Sequence, residues 1–307
     1  MNQPVELSAE ELAQAPYCVG PDPNPRKPAF ALPPGATDCH AHVFGPVARY
    51  PYFGRRIYTP PDALPSAYWG MLGALGVTRA VLVQPSVYGT DNRAMLDAMA
   101  GEKHRMRGVA VVEETIADAE LARMHEIGVR GIRFNIVDVK PEERGKLPID
   151  VVRRMAERIK PFGWHIQFLM HVDEFPELDR MFAGFPVDIV IDHYGYMAVS
   201  KGIAHPGFQA LLKLMKAGHC WVKFTGAYRI SGESALPYSD VTPYARALVA
   251  AAPERIVWGT DWPHPKHEKP MPNDGDMCNR LLDWIPDEKE RRLALVDNPA
   301  KLYGFNS

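Results

Sequence analysis

The sequence lacks most features that would assign a chain to a class at sight. Its 35 basic and 37 acidic side chains leave a net charge of −2, which excludes a broad basic nucleic-acid surface and an acidic tail but not a local basic pocket. No apolar run comes near the ~18 residues that span a bilayer, so no membrane role is expected. The N-terminus has no basic segment followed by an apolar stretch, so a secretory signal is not expected either. Cysteine is scarce: Cys18, Cys39, Cys220 and Cys278 form no C-x-x-C pair. A chain this long buries a core without staples, so the expectation is reduced thiols in a cytoplasm. No G-x-G-x-x-G follows the first apolar run, which argues against a dinucleotide binder. No internal repeat is visible, and no linker divides the chain after Gly35.

Proline is abundant instead, at 29 of 307 residues, roughly twice the ~5% of average proteins. Pro16, Pro21, Pro23, Pro25, Pro28, Pro33 and Pro34 forbid a regular helix or a central strand near the N-terminus. Residues 1–34 therefore read as an extended arm lying over the body or a neighbouring subunit, and 35–307 as one domain. Within that domain short β-branched runs (36–43, 80–84, 108–112, 131–135, 165–170, 188–192, 221–225, 256–260) alternate with segments of helical period (62–75, 91–101, 117–127, 149–161, 175–183, 207–217, 240–251, 287–303). Alternation of this kind implies parallel strands joined by right-handed crossovers. Eight such units predict an α/β fold of the (β/α)8 TIM-barrel type, whose usual size is ~250 residues.

The chemistry is expected at the C-terminal strand ends, where barrel enzymes keep their active sites. Those ends are polar here: His40-Ala-His42, Gln84-Pro-Ser86, Arg133 with Asn135, His171, Asp192-His193, Thr225 leading to Arg229, and Thr260-Asp261. His40 and His42 lie two apart on a strand and so face one side. Converging imidazoles bind a metal or polarise a carbonyl. Asp261 is placed to deprotonate water or ligate a metal. Arg133, in an otherwise apolar strand, needs a partner, and a guanidinium matches a carboxylate with two parallel hydrogen bonds; Arg229 reads the same way. Tyr58 and Ser86 are candidate hydrogen-bond donors, His264 and His267 read as loop histidines, and Arg153, Arg154, Arg158 and Lys160 read as a solvated helix face.

TDCHAHVFGP, the YTP at Tyr58, DNRAM, GVRGIRFN, DHYG, WGTDWPHP and LVDNPAKLYG together resemble the amidohydrolase superfamily, most closely its pyrone-dicarboxylate lactonase branch, over about residues 35–304. The resemblance implies a (β/α)8 barrel that opens the ester bond of a lactone without a metal. It implies Asp261 as the base that activates water, and His40, His42 and His193 around the scissile carbonyl. Tyr58, Ser86, Arg133 and Arg229 match positions that hold substrate carboxylates and ring oxygens, with His171 nearby. Metal-dependent members of the superfamily offer the alternative of a mononuclear zinc or manganese site on His40, His42, His193 and Asp261, with His171 a further candidate ligand.

Two arginines and one tyrosine of the branch are replaced here by Val139, beside Lys140, by Tyr196, and by Leu169, near Gln167 and His171. A buried carboxylate without its partner is penalised by several kcal/mol. The expected substrate is a small anionic carboxylated lactone (pyrone dicarboxylate-like, muconolactone-like or sugar-acid) met in aromatic compound or sugar-acid catabolism. One less anionic than a pyrone dicarboxylate, or bound in another orientation, fits these replacements better, such as a monocarboxylated or sulfonated lactone. Other readings are a lactone isomerase, a metal-dependent decarboxylase or hydratase, and a non-catalytic carboxylate-binding barrel.

Overall fold

Eight short strands, β1 (Thr37–Ala41), β2 (Arg79–Val83), β3 (Met106–Ala110), β4 (Val129–Asn135), β5 (His165–Leu169), β6 (Ile189–Ile191), β7 (Cys220–Phe224) and β8 (Ile256–Trp258), pair in parallel in chain order in a computed structural model of the protein. The structure describes residues 15–306 apart from 55 and 140. The sheet closes where β1 meets the extension of β8. The Asp261 amide donates to His40 O and the His42 amide to Trp262 O, each at 2.8 Å, and Ala41 bridges Trp262 in parallel. The result is the expected (β/α)8 barrel. Its strands read as nearly continuous apolar runs because both faces are covered.

Helices α1 (Pro65–Leu75), α2 (Arg93–Met99), α3 (Asp118–Ile127), α4 (Ile149–Ile159), α5 (Leu178–Met181), α6 (Pro206–Lys216) and α7 (Thr242–Ala251) follow the first seven strands. Their ends obey ordinary capping chemistry. α1 starts on Pro65 and stops at Gly76, whose φ of 80° lets its amide reach back to Leu72 and Gly73. α6 likewise starts on a proline, with the His205 side chain accepting from the Gly207 amide. After β8 come α8 (Asp274–Asn279), α9 (Leu281–Trp284), α10 (Glu288–Arg292) and α11 (Asn298–Tyr303). The single helix expected over 287–303 is interrupted, because Leu293–Asp297 widens into a π turn just before Pro299. A proline near the start of a helix is tolerated, whereas one inside it removes a ladder bond.

The barrel floor is filled by Cys39, Val81, Val83, Val109, Val190, Trp221 and Val257, closed from below by Tyr303 and Phe305. Below the mouth, then, the barrel is packed rather than open. Residues 15–34 carry no helix or regular strand. They cross the loops at the mouth, with the Cys18 amide on Thr59 O at 2.8 Å, and the Arg26 and Ala29 amides on the side chains of Asn273 and Asn279 at 2.9 and 2.6 Å. The start of the expected arm, residues 1–14, lies outside the described residues.

Candidate active site

His40 and His42 reach the barrel mouth through an irregularity in β1. Between Asp38 and Ala41 the register against β2 slips, so three steps on β1 span two on β2. Simple alternation would put Asp38, His40 and His42 on one face and Cys39 on the other. Instead Asp38 turns out to Tyr68 of α1 and to Thr260, at 2.9 and 2.6 Å, Cys39 stays on the barrel floor, and both histidines face inward. A bulge commonly re-aims side chains beside active sites in this way. Asp38 also accepts from the amides of His40 and Thr260, at 3.1 and 2.9 Å, and so pins the bulge to the β8 side of the seam.

The imidazole of His40 lies 5.0 Å, centroid to centroid, from those of His42 and of His193. Asp261 Oδ1 stands 3.6 Å from His40 Nε2 and 3.8 Å from His42 Nε2. All four residues are buried. His193 and Asp261 sit just past β6 and β8 with φ of 53° and 67°, left-handed conformations that cost about 1–3 kcal/mol each in a non-glycine residue. These turns swing each side chain back over the barrel axis.

Burial pushes the histidines down, His40 well below its usual value and His42 and His193 to about 4. All three are therefore neutral near pH 7. Burial alone would raise the Asp261 carboxyl, but the Arg229 guanidinium beside it holds it well below the carboxylate range. His42 Nδ1–H donates to Val83 O at 2.7 Å and His193 Nδ1–H to Thr225 O at 3.0 Å. Because each partner is a carbonyl, the proton must sit on Nδ1, and the lone pair on Nε2 faces the cluster.

Two groups that sequence reasoning did not single out hold the cluster from beneath. Asp192 receives Arg133 Nε and Nη2 at 3.1 and 2.9 Å and Gln167 Nε2 at 3.1 Å, and its Oδ1 lies 3.4 Å from His40 Nδ1. Lys223 is fully buried in β7; its ammonium donates to Cys39 O at 2.8 Å and stands 3.4 Å from His40 Nδ1. Burial lowers this lysine to about 8, against the pull of Asp192. The signal was available, since one lysine inside the apolar run CWVKF is hard to place without a partner.

The other carboxylate oxygen, Asp261 Oδ2, is occupied. It accepts from Tyr228 OH at 2.6 Å and from Arg229 Nε at 2.7 Å. Arg229 also donates to Pro265 O at 3.1 Å. Behind Tyr228 a buried chain continues, with the hydroxyl 3.1 Å from His264 Nδ1 and His264 Nε2 3.1 Å from Asp274 Oδ1. His264, expected as a loop histidine, is thus fully buried and supports the Asp261 carboxylate through Tyr228.

Above the cluster lies a small chamber of about 50 Å³ whose wall includes His42, His193, Tyr58, Ser86, Arg133 and Arg229. The structure therefore brings together eight of the nine residues singled out from the sequence. His171 is the exception: it donates from Nδ1 to Tyr196 O at 2.6 Å and stacks on that ring at 4.7 Å, and Tyr196 rather than His171 lines the chamber. Both arginines also serve internal carboxylates, Arg133 on Asp192 and Arg229 on Asp261.

The donor set fits a divalent cation. His40 Nε2 and Asp261 Oδ1 have no hydrogen-bond partner among the described residues. The ligand atoms offered by His40, His42 and Asp261 lie within 4.8 Å of one another, as do those of His40, Asp192 and His193. Imidazole lone pairs facing a carboxylate oxygen with no proton between them repel unless a positive charge sits there. Histidines whose Nδ1–H is tied to a carbonyl are the usual ligand arrangement.

The family pattern described as "Amidohydrolase" matches residues 37–305. A 4-sulfomuconolactone hydrolase of Hydrogenophaga intermedia is 38% identical, the match covering 97% of this chain and 98% of that protein. A 2-pyrone-4,6-dicarboxylate hydrolase of Comamonas testosteroni is 40% identical, covering 91% and 93%. Among solved structures, an apo protein from Agrobacterium tumefaciens superposes with a TM-score of 0.81 at 28% identity, covering 91% of this chain and 99% of that one.

Proposed function

The chain belongs to the amidohydrolase family, and from that membership we propose that it hydrolyses the ester bond of a small carboxylated lactone. The observation that carries this reading is the buried convergence of His40, His42, His193 and Asp261 beneath a chamber flanked by Arg133 and Arg229. The relatives named as lactone hydrolases support the substrate class.

In this reading the substrate carboxylate lies against the Arg133 and Arg229 edges, with Tyr58 and Ser86 orienting the ring oxygens, and the lactone carbonyl faces the histidines. Asp261 Oδ1, the oxygen left free, takes a proton from water as the water oxygen bonds to the acyl carbon. The ring C–O bond then breaks and the proton passes to the departing oxygen, giving one hydroxyl and one carboxylic acid, which releases its proton to solvent and leaves as the carboxylate. Tyr228 and Arg229 hold Oδ2, so the free lone pair keeps one direction, and such orientation contributes rate in its own right. A carboxylate held this far below its usual range is a weak base toward unassisted water. His40, His42, His193 and Asp261 would hold zinc or manganese; when bound, such an ion polarises a carbonyl and lowers the pKa of a coordinated water toward ~7. Neutral His42 and His193 present lone pairs rather than protons to the chamber, so they donate no hydrogen bond to a carbonyl there.

The replacement of branch arginines by Val139 and Tyr196 supports a substrate with fewer anionic groups than a pyrone dicarboxylate. The test is turnover of pyrone dicarboxylate, sulfomuconolactone, carboxymethyl-butenolide and sugar-acid lactones, with products assigned by NMR. Ring-opened hydroxy or keto acids from a singly charged lactone, ahead of the dicarboxylate, are expected. An isomeric lactone as product would replace hydrolysis by acyl shift, and loss of carbon dioxide would replace both.

A further inference from the structure

The chamber over Asp261 is too small for its proposed substrate. At about 50 Å³ it falls well short of the ~150 Å³ that holds one benzene molecule. A lactone reacting at the cluster must therefore extend out of it. Across the boundary formed by Ser86, Arg133, Asn135 and Asp138 lies a second cavity, of about 330 Å³, between the loops after β1, β2, β3 and β4. The proposed hydrolysis draws on Ser86 and Arg133 at this boundary and leaves the rest of the cavity unused.

The chemistry of this annex differs from that of the chamber. Its walls carry Phe53, Ile57, Tyr88, Val112 and Phe134. Phe53 is 41% exposed, an aromatic face left open beside the entrance. Its charged side chains are of both signs: Arg56 and Arg133 line it together with Glu113 and with Asp91, which is paired with Arg93 at 2.6 Å. Asp138, at the boundary, is engaged by Asn135 at 2.8 Å and by Lys266 at 3.4 Å. An uncharged apolar group on the substrate would cover Phe53, Ile57 and Val112.

We propose that the annex is a substrate subsite for an uncharged aryl or similarly bulky apolar substituent on the lactone, making the preferred substrate an aryl-substituted monocarboxylated lactone rather than a compact dianion. The proposal rests on the lactone-hydrolase reading for its scissile bond. The size agrees: 330 Å³ accommodates a phenyl ring with a short linker, at the lower end of the ~300–1,000 Å³ of small-molecule sites.

The test compares two unsaturated γ-lactone carboxylates that differ only in carrying a methyl or a phenyl group on the ring. The expected kcat/KM favours the phenyl compound by at least ~10-fold, the scale on which a hydrophobic pocket separates ligands of different bulk. Filling the annex by Val112→Trp, or by Thr90→Trp should the first variant fail to fold by circular dichroism, is expected to abolish that preference. A preference absent in the natural protein, or unchanged in the filled variants, overturns the subsite. Titration with 4-phenylbutyrate and butyrate separates this result from the fate of the hydrolase reading. Should neither lactone be opened, the hydrolase reading fails, while tighter binding of phenylbutyrate, lost in the filled variants, still supports the annex; equal affinities overturn it.

Discussion

At the scale of single residues, the two oxygens of Asp261 have separate tasks. Oδ2 is saturated by Tyr228 and Arg229, and Oδ1 faces the histidines with no partner among the described residues. Asp261→Asn keeps the shape but removes both the base and an anionic ligand. It is expected to lower kcat by at least ~10²-fold, the scale of general acid–base catalysis; a steady-state assay giving a near-normal rate would remove Asp261 from that role. Tyr228→Phe deletes the 2.6 Å donor to Oδ2 together with the 3.1 Å contact to His264 Nδ1. A hydrogen bond to a charged group is worth about 1.5–3 kcal/mol, so kcat should fall about tenfold or more with KM little changed. A rise in KM at constant kcat would instead place Tyr228 against the substrate. The catalytic candidates were legible because titratable residues stood at strand ends. Tyr228, Lys223 and Asp192 were less so: each acts through another side chain, and their contacts with Asp261 and His40 join residues far apart in sequence.

Elements explain why the residues converge. Eight strands were legible from β-branched runs, since a buried parallel strand is apolar throughout. The structure trims β1, β5, β6 and β8 at their ends, extends β4 toward its start and shifts β2, β3 and β7 toward the N-terminus by one or two residues. The bulge in β1 was not legible. Two histidines two apart predict a shared face, but the sequence does not show that a slipped register is needed for that face to be the inner one while Cys39 stays inside as well. Nor were α8 and α9 legible, at 6 and 4 residues, too short for a 3.6-residue period to stand out. The bulge depends on a close approach across the seam: a Cβ on Gly259 would meet His40 N at 2.6 Å and His40 Cβ at 2.8 Å. Gly259→Ala must therefore push β1 away from β8. A loss of about 1–3 kcal/mol in stability is expected, as for other overpacked cores, with a fall in kcat because His40 moves relative to Asp261. Denaturant melts and kinetics check this together, and a variant of unchanged stability and rate would show that the seam yields without displacing the histidine.

On the scale of the whole molecule, the four candidate ligands come from β1, from the turn after β6 and from the turn after β8. They meet only when the barrel has closed, with Tyr303 and Phe305 packed against its floor. A cation bound there binds the folded chain and not the unfolded one, so its binding energy adds to stability. Without a cation, the lone pairs of His42 and His193 face the Asp261 carboxylate with no positive charge between them, which is repulsive. Elemental analysis of the purified protein is therefore expected to find about one zinc or manganese per chain, consistent with a mononuclear site. Occupancy at a hundredfold excess over Kd contributes about 2.7 kcal/mol, so chelation should lower the thermal midpoint by about 3–8 °C for a chain of this size and remove most of the turnover, both restored by adding the metal back. A protein that purifies without metal, and keeps its midpoint and rate in chelator, would assign water activation to Asp261 alone. The histidines would then need a different source of positive charge, and for His40 the buried ammonium of Lys223, 3.4 Å from its Nδ1, supplies one.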